Sequence, residues 1–135
     1  MTFGISGFAL AGATAKPVAP KFRAGQRWDY KTRPGEEKST LTILKLETEG
    51  EQSIVHIAIE DVHISNRQAK SGFVTRVGHA PIEEGALARS VTKLRAAKKK
   101  LPPFEEGYDQ WKTAHGGIFT ITVAEALATV ETSLE

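Results

Sequence analysis

The chain has 135 residues, 40% hydrophobic and 25% charged, with a net charge of +2 and no cysteine. Such a composition suits one soluble domain with a core of ordinary size. It excludes disulfide staples, thiol chemistry and thiolate metal sites, and so small a net charge gives no argument for nucleic-acid binding. Neither a cofactor nor a metal is expected.

Residues 1–15 carry no charge and run through Phe3, Ile5, Phe8, Ala9, Leu10 and Ala11 into small residues. That is the form of the apolar and cleavage regions of a secretory signal. Ala9-Leu10-Ala11, Ala11-Gly12-Ala13 and Ala13-Thr14-Ala15 are overlapping small-residue cut sites. No basic residue precedes the run, although one normally does, so the alternative is an apolar tail on a cytoplasmic protein. The expected setting is periplasmic or secreted. The run is well short of the ~20 apolar residues needed to cross a bilayer, so no membrane span is expected after leader removal. Residues 16–24, with Pro17 and Pro20, read as a linker into a single domain over 25–135.

From Gln26 the pattern is that of strands. Trp28 and Tyr30 share one face while Arg27, Asp29 and Lys31 take the other. Pro34-Gly35 suits the central positions of a type II turn, proline with its fixed φ and glycine free to take a positive one. A second strand follows over 40–47. Leu41 and Ile43 share a face, but Leu44 and Leu46 have the opposite parity, so either both faces are covered or a bulge after Ile43 rotates the register. Glu49-Gly50-Glu51 makes the next turn. In the third strand Val55, Ile57 and Ile59 alternate cleanly, then Val62 and Ile64 continue with opposite parity, so an irregularity is expected at Glu60-Asp61. Residues 66–72 form a loop and 73–78 a fourth short strand.

The second half changes to helical spacing. Pro81 suits a first helical position, and Ile82, Ala86, Leu87, Val91 and Leu94 recur at three and four, which predicts a helix from Pro81 onward. Leu101-Pro102-Pro103 ends it. Phe104, Tyr108 and Trp111 predict a second helix closing near His115-Gly116-Gly117, and 118–121 is a short β-branched run read as a strand. Thr122-Val123-Ala124-Glu125 has the form of a capping box, and Val123, Ala126, Leu127, Val130 and Leu134 stripe the last helix. The fold class is therefore α+β: an antiparallel meander of about four strands, then helices packed on one face, with one short extra strand before the C-terminal helix.

No G-x-S-x-G elbow, H-E-x-x-H, phosphate loop or dinucleotide fingerprint occurs. Of the four histidines, His56 and His63 lie on the third strand, ~23 Å apart at ~3.3 Å per residue. That is too far to share a metal, and solvent-facing or sheet-pairing roles fit them. His115 falls at a helix end, where it faces terminal carbonyls. His79 is the weak catalytic candidate, placed at a strand-to-helix junction with Glu83 and Glu84 near enough in sequence to orient it. Arg33, Glu36 and Glu37 on the first hairpin are the partner-binding candidates. A charged turn is ordinarily solvated, but Arg33 on a rigid loop suits a forked contact with a carboxylate or phosphate. Trp28, Tyr30, Tyr108 and Trp111 fit the buried faces of their elements. Lys93, Arg95, Lys98, Lys99 and Lys100 read as helix-end charge.

The segment Gly25-Gln26-Arg27-Trp28-Asp29-Tyr30-Lys31-Thr32-Arg33-Pro34-Gly35-Glu36-Glu37, together with Gly107-Tyr108, Trp111 and residues 119–126, resembles a set of small bacterial proteins. They share a GQ-x-W-x-Y-x-TRPGEE opening, a GY-x-x-W segment and an FTI-x-VAEA close. The resemblance implies a bacterial source and a compact single domain, and carries nothing about activity or ligand. The expected function is a non-enzymatic domain that binds another protein, of the immunity or inhibitor kind. The alternative is a small hydrolase or isomerase using His79 as acid and base.

Overall fold

Alternating apolar residues build a five-stranded antiparallel sheet in a computed structural model that describes residues 21–97 and 100–134. In chain order the elements are β1 (Arg27–Tyr30), β2 (Thr40–Glu49), β3 (Gln52–Ser65), β4 (Phe73–Glu83), α1 (Glu84–Ser90), β5 (Val91–Arg95), α2 (Glu105–Thr113) and α3 (Val123–Ser133). The sheet order is β4-β3-β2-β1-β5. The α+β class with an antiparallel meander is what this chain adopts. The expected leader over 1–15, residues 16–20 of the expected linker, and Lys98 and Lys99 lie outside the described residues.

One face of the sheet carries Leu41, Ile43, Val55, Ile57, Ile59 and Ile82, packed with Leu87 of α1 and Val123 and Leu127 of α3. Each such side chain contributes roughly 1.5–3 kcal/mol through burial. Phe22, from the stretch read as linker, also enters this core and meets the Trp28 ring edge-on at 5.8 Å. The capping box forms as expected: the Thr122 hydroxyl accepts from the Glu125 N–H, and the Glu125 carboxylate accepts from the Thr122 N–H. The first turn is also as expected, with Gly35 at φ 88° and the Glu36 N–H donating to the Arg33 carbonyl at 3.0 Å.

The helix predicted from Pro81 onward is the main correction. β4 runs on to Glu83, α1 occupies only 84–90, and residues 91–95 form β5 against β1. Two physical reasons override the helical spacing. Proline is tolerated on an edge strand, where a missing N–H costs no ladder bond, and β4 is such an edge. At the other end, β1 would be exposed along one side, and Val91–Arg95 supplies its missing hydrogen bonds. Lys93 and Arg95 are thus strand residues, not helix-end charges, and Arg95 pairs with Asp29 at 3.2 Å. The strand expected over 118–121 is a single parallel bridge between Phe119 and Ile82.

Four register shifts interrupt the ladders, one of them between β1 and β5 at Trp28/Tyr30. In β2, Ile43 pairs Ile57 but Lys45 pairs His56, so Leu44 is the extra residue, at the position where sequence parity breaks. In β4, Val77 pairs Ile59 and Ala80 pairs Ile57, leaving Gly78 and His79 together opposite Ala58. In β3 the shift falls between Glu60 and Ile64. There Asp61 adopts φ 59°, a left-handed conformation that Asp tolerates better than most residues. This is the irregularity expected at the acidic pair.

Candidate functional site

The bulges decide which side chains meet. Counting by twos from Leu41 and Ile43, Glu47 belongs on the core face; the extra residue Leu44 turns it to the other side. The second bulge turns His79 the same way. On that side His56 is completely buried, because Tyr108 and Trp111 of α2 close over it, each ring 4.9 Å from the imidazole and edge-on. A bulge that re-aims a side chain is a recurrent device beside active sites.

The polar groups form one chain. His56 Nε2 donates to Glu47 Oε2 at 2.8 Å, and His56 Nδ1 shares a hydrogen with His79 Nε2 at 2.9 Å. The two imidazoles are stacked with centroids 5.0 Å apart. The Tyr108 hydroxyl donates to Glu47 Oε1 at 3.2 Å, while Lys112 Nζ lies 3.5 Å from the same oxygen. Lys45 Nζ sits 4.6 Å above the Tyr108 ring, a cation–π distance.

Ionisation follows from these contacts. Burial pushes the Glu47 carboxyl up, but Tyr108, His56 and Lys112 outweigh it and leave it below its ordinary value, hence anionic. Burial lowers His56, Glu47 offsets part of that, and the positive Lys45 and Lys112 lower it further; the net direction is down. His79 is pushed down to about 4, first by burial and then by the charge of a protonated His56. Both rings are therefore neutral at pH 7.

His79 is half-buried and opens onto a groove of about 520 Å³, lined also by Gly78, Phe104, Glu106, Gly107 and Gln110. Gly107 matters sterically. A Cβ there would stand 3.1 Å from His79 Cβ, tighter than an ordinary contact, and 3.8 Å from Nδ1, so glycine lets α2 approach the His79 side chain closely. Among the described residues no three His, Asp or Glu side chains are placed so that they could hold a metal ion together.

The residues singled out by sequence are placed as follows. His79 lies within β4, not at a junction, and the carboxylate linked to it is Glu47 through His56, not Glu83 or Glu84. His56, read as solvent-facing or sheet-pairing, is instead the centre of the site. His63 is exposed and stacks on Phe73 at 4.1 Å, far from this role. His115 ends α2 with φ 51°, its N–H donating to the Lys112 carbonyl at 3.2 Å. Tyr30 is buried, whereas Trp28, Tyr108 and Trp111 are half-buried.

Arg33 and Glu36 are not a solvated pair. Glu36 is only 3% exposed; it accepts from Arg33 Nε and Nη2 at 2.8 and 2.6 Å and from the His63 N–H at 2.6 Å. Arg33 Nη1 also donates to Glu131 at 3.2 Å, and the other Glu131 oxygen accepts from the Ser65 N–H at 2.7 Å. The guanidinium thus ties the first turn to β3 and α3. Glu37 is exposed and accepts from the Gly35 N–H at 2.9 Å.

Sequence reasoning missed Glu47, His56 and Tyr108 as one unit. The usable signal was the parity break at Leu44, which shifts Glu47 across the sheet. Comparison with known proteins finds no matching family model, no matching curated protein and no matching solved structure.

Proposed function

We propose that this protein is a small acid–base enzyme of the hydrolase or isomerase class, in which His79 exchanges a proton with the substrate. One observation carries the reading: a neutral imidazole lines the groove while its rear nitrogen is held by a second, buried imidazole. An imidazole acting as general base must be unprotonated, hence neutral, at the working pH and open to the proton it takes. His79 meets both conditions. Its depressed pKa makes it a weak base, which suits a substrate with a comparatively acidic proton or a reactive carbonyl.

The lining also favours a substrate class. Glu105 and Glu106 border the groove, Phe104 gives it an apolar wall, and no cationic side chain lines it among the described residues. Like charges repel, so a neutral or cationic small molecule fits better than a phosphate or carboxylate. The periplasmic or secreted setting expected from residues 1–15 belongs to the same proposal. The protein-binding reading ranks second because two of its three contact residues, Arg33 and Glu36, already satisfy one another inside the fold.

The test uses the full chain and its His79→Gln variant on two panels. One holds neutral and cationic esters and amides; the other holds carbonyl compounds whose C–H exchange in D₂O is followed by proton NMR. Turnover that falls about 10²-fold or more in the variant supports the assignment. Turnover equal in both proteins, or no turnover on either panel, counts against it.

A further inference from the structure

Glu47 and His56 do more than support His79 mechanically. A carboxylate only accepts hydrogen bonds, and a neutral imidazole has one donor and one acceptor nitrogen. With Glu47 anionic, the His56 nitrogen facing it must carry the hydrogen, so His56 Nδ1 is an acceptor. The hydrogen shared between the rings therefore belongs to His79 Nε2. His79 Nδ1 is left without a hydrogen, on the ring that lines the groove once Nε2 is engaged by His56.

We propose that Glu47, acting through His56, is a positioning residue that holds the Nδ1 lone pair of His79 free toward the groove. The inference rests on the acid–base reading of His79 and adds which nitrogen acts and what selects it. When Nδ1 takes a proton, His79 Nε2 keeps donating to His56, so no hydrogen bond in the chain has to reverse. Among the described residues, the other charged or titratable groups near the pair are Lys45 on β2, Tyr108 and Lys112 on α2, and Glu105 and Glu106 of α2 across the groove from His79. Tyr108, Lys112 and Lys45 act on the far oxygen of Glu47 or on the Tyr108 ring.

Their position makes a one-atom change diagnostic. In Glu47→Gln the side chain keeps its shape, but the donors Tyr108 and Lys112 surround the Oε1 site. The amide oxygen settles there and the NH₂ group turns to His56 Nε2. That nitrogen must then accept, His56 Nδ1 becomes the donor, and His79 carries its hydrogen on Nδ1. Both tautomers invert, and the groove loses its acceptor. A carboxylate-to-amide exchange behind a catalytic histidine is known to act through the wrong tautomer, at a cost of about 10⁴ in kcat.

Long-range ¹H–¹⁵N correlation spectra of the histidine rings, on the full-length labelled protein at pH 7, test this. Wild type should show unprotonated Nδ1 and protonated Nε2 on both His56 and His79, and Glu47→Gln the reverse on both. The proposal fails if wild type carries a protonated Nδ1 on His79, or if Glu47→Gln, folded by its amide spectrum, keeps the wild-type assignment. The wild-type spectrum decides by itself should the variant not fold. Neither readout needs a substrate. Inversion without turnover on any panel would therefore remove the enzyme and leave the tautomer control standing.

Discussion

Mild acid should separate the paired imidazoles from every other stabilising interaction of the fold. His79 is pushed down from 6.5 to about 4 by burial and by the positive charge of a protonated His56, and His56 is lowered as well. The unfolded chain binds these protons at ordinary values while the folded one resists them. It follows that the unfolded state holds more protons below pH 6.5 and stability falls with acidification. The contribution is complete above the unfolded pKa and is lost as pH drops through the folded one. For His79 alone, the fall from pH 7 to pH 5 has a ceiling of about 2 kcal/mol, which solvent screening of the half-buried ring reduces to about 1 kcal/mol. Glu36, Glu47 and Glu131 also have lowered values, but from an ordinary 4.5, so their losses come at lower pH. Urea unfolding at pH 7, 6 and 5 and constant ionic strength measures the effect in wild type and in His79→Gln, whose amide can still donate to His56. Wild type should lose about 1 kcal/mol more than the variant across that range. Equal losses in the two proteins would show that His79 is not held neutral, and would remove the basis for a free base at the groove.

Three further outcomes follow from the packing. Glu36→Ala strips the buried acceptor from Arg33 and from the His63 N–H; removing one partner of a buried pair costs about 3–5 kcal/mol. The lower end is expected because Arg33 keeps Glu131, and a loss under about 1 kcal/mol in urea titration would contradict the buried assignment. Gly107→Ala should cost up to about 1 kcal/mol net: alanine is the better helix former, but its Cβ would stand 3.1 Å from His79 Cβ on β4, which has to give way. It should also slow acylation of His79 by an imidazole-selective reagent several-fold, read by mass spectrometry; an unchanged rate would mean that the open side of the ring lies elsewhere. Leu87→Ala, at a fully buried position, should cost about 2–5 kcal/mol. Leu94→Ala, at a position 49% exposed, should stay within about 0.5 kcal/mol. The reverse order would displace the core from the face that α1 and α3 cover.

The local features of this chain were readable because their causes are local. Period-two alternation marks β1 to β3, a positive φ suits Gly35, and Thr122 and Glu125 close a cap within one helical turn. The parity breaks at Leu44 and Glu60-Asp61 reported real register shifts, since one extra residue flips every side chain that follows. The segment 81–95 was not readable. Its apolar spacing fits a helix, and only the unpaired side of β1 and the edge position of β4 make strands the better use of it. His56 was misread for a related reason. Opposite parity to Val55 and Ile57 means solvent unless something covers that face, and the cover is α2, which starts 49 residues later at Glu105. Glu36 was misread in the same way: its turn is local, but Arg33 also reaches Glu131, 98 positions away. Sequence alone determined the strands, turns and caps whose hydrogen bonds close within a few residues. Tertiary structure alone decided which polar groups lose water, because desolvation depends on what another part of the chain lays over them.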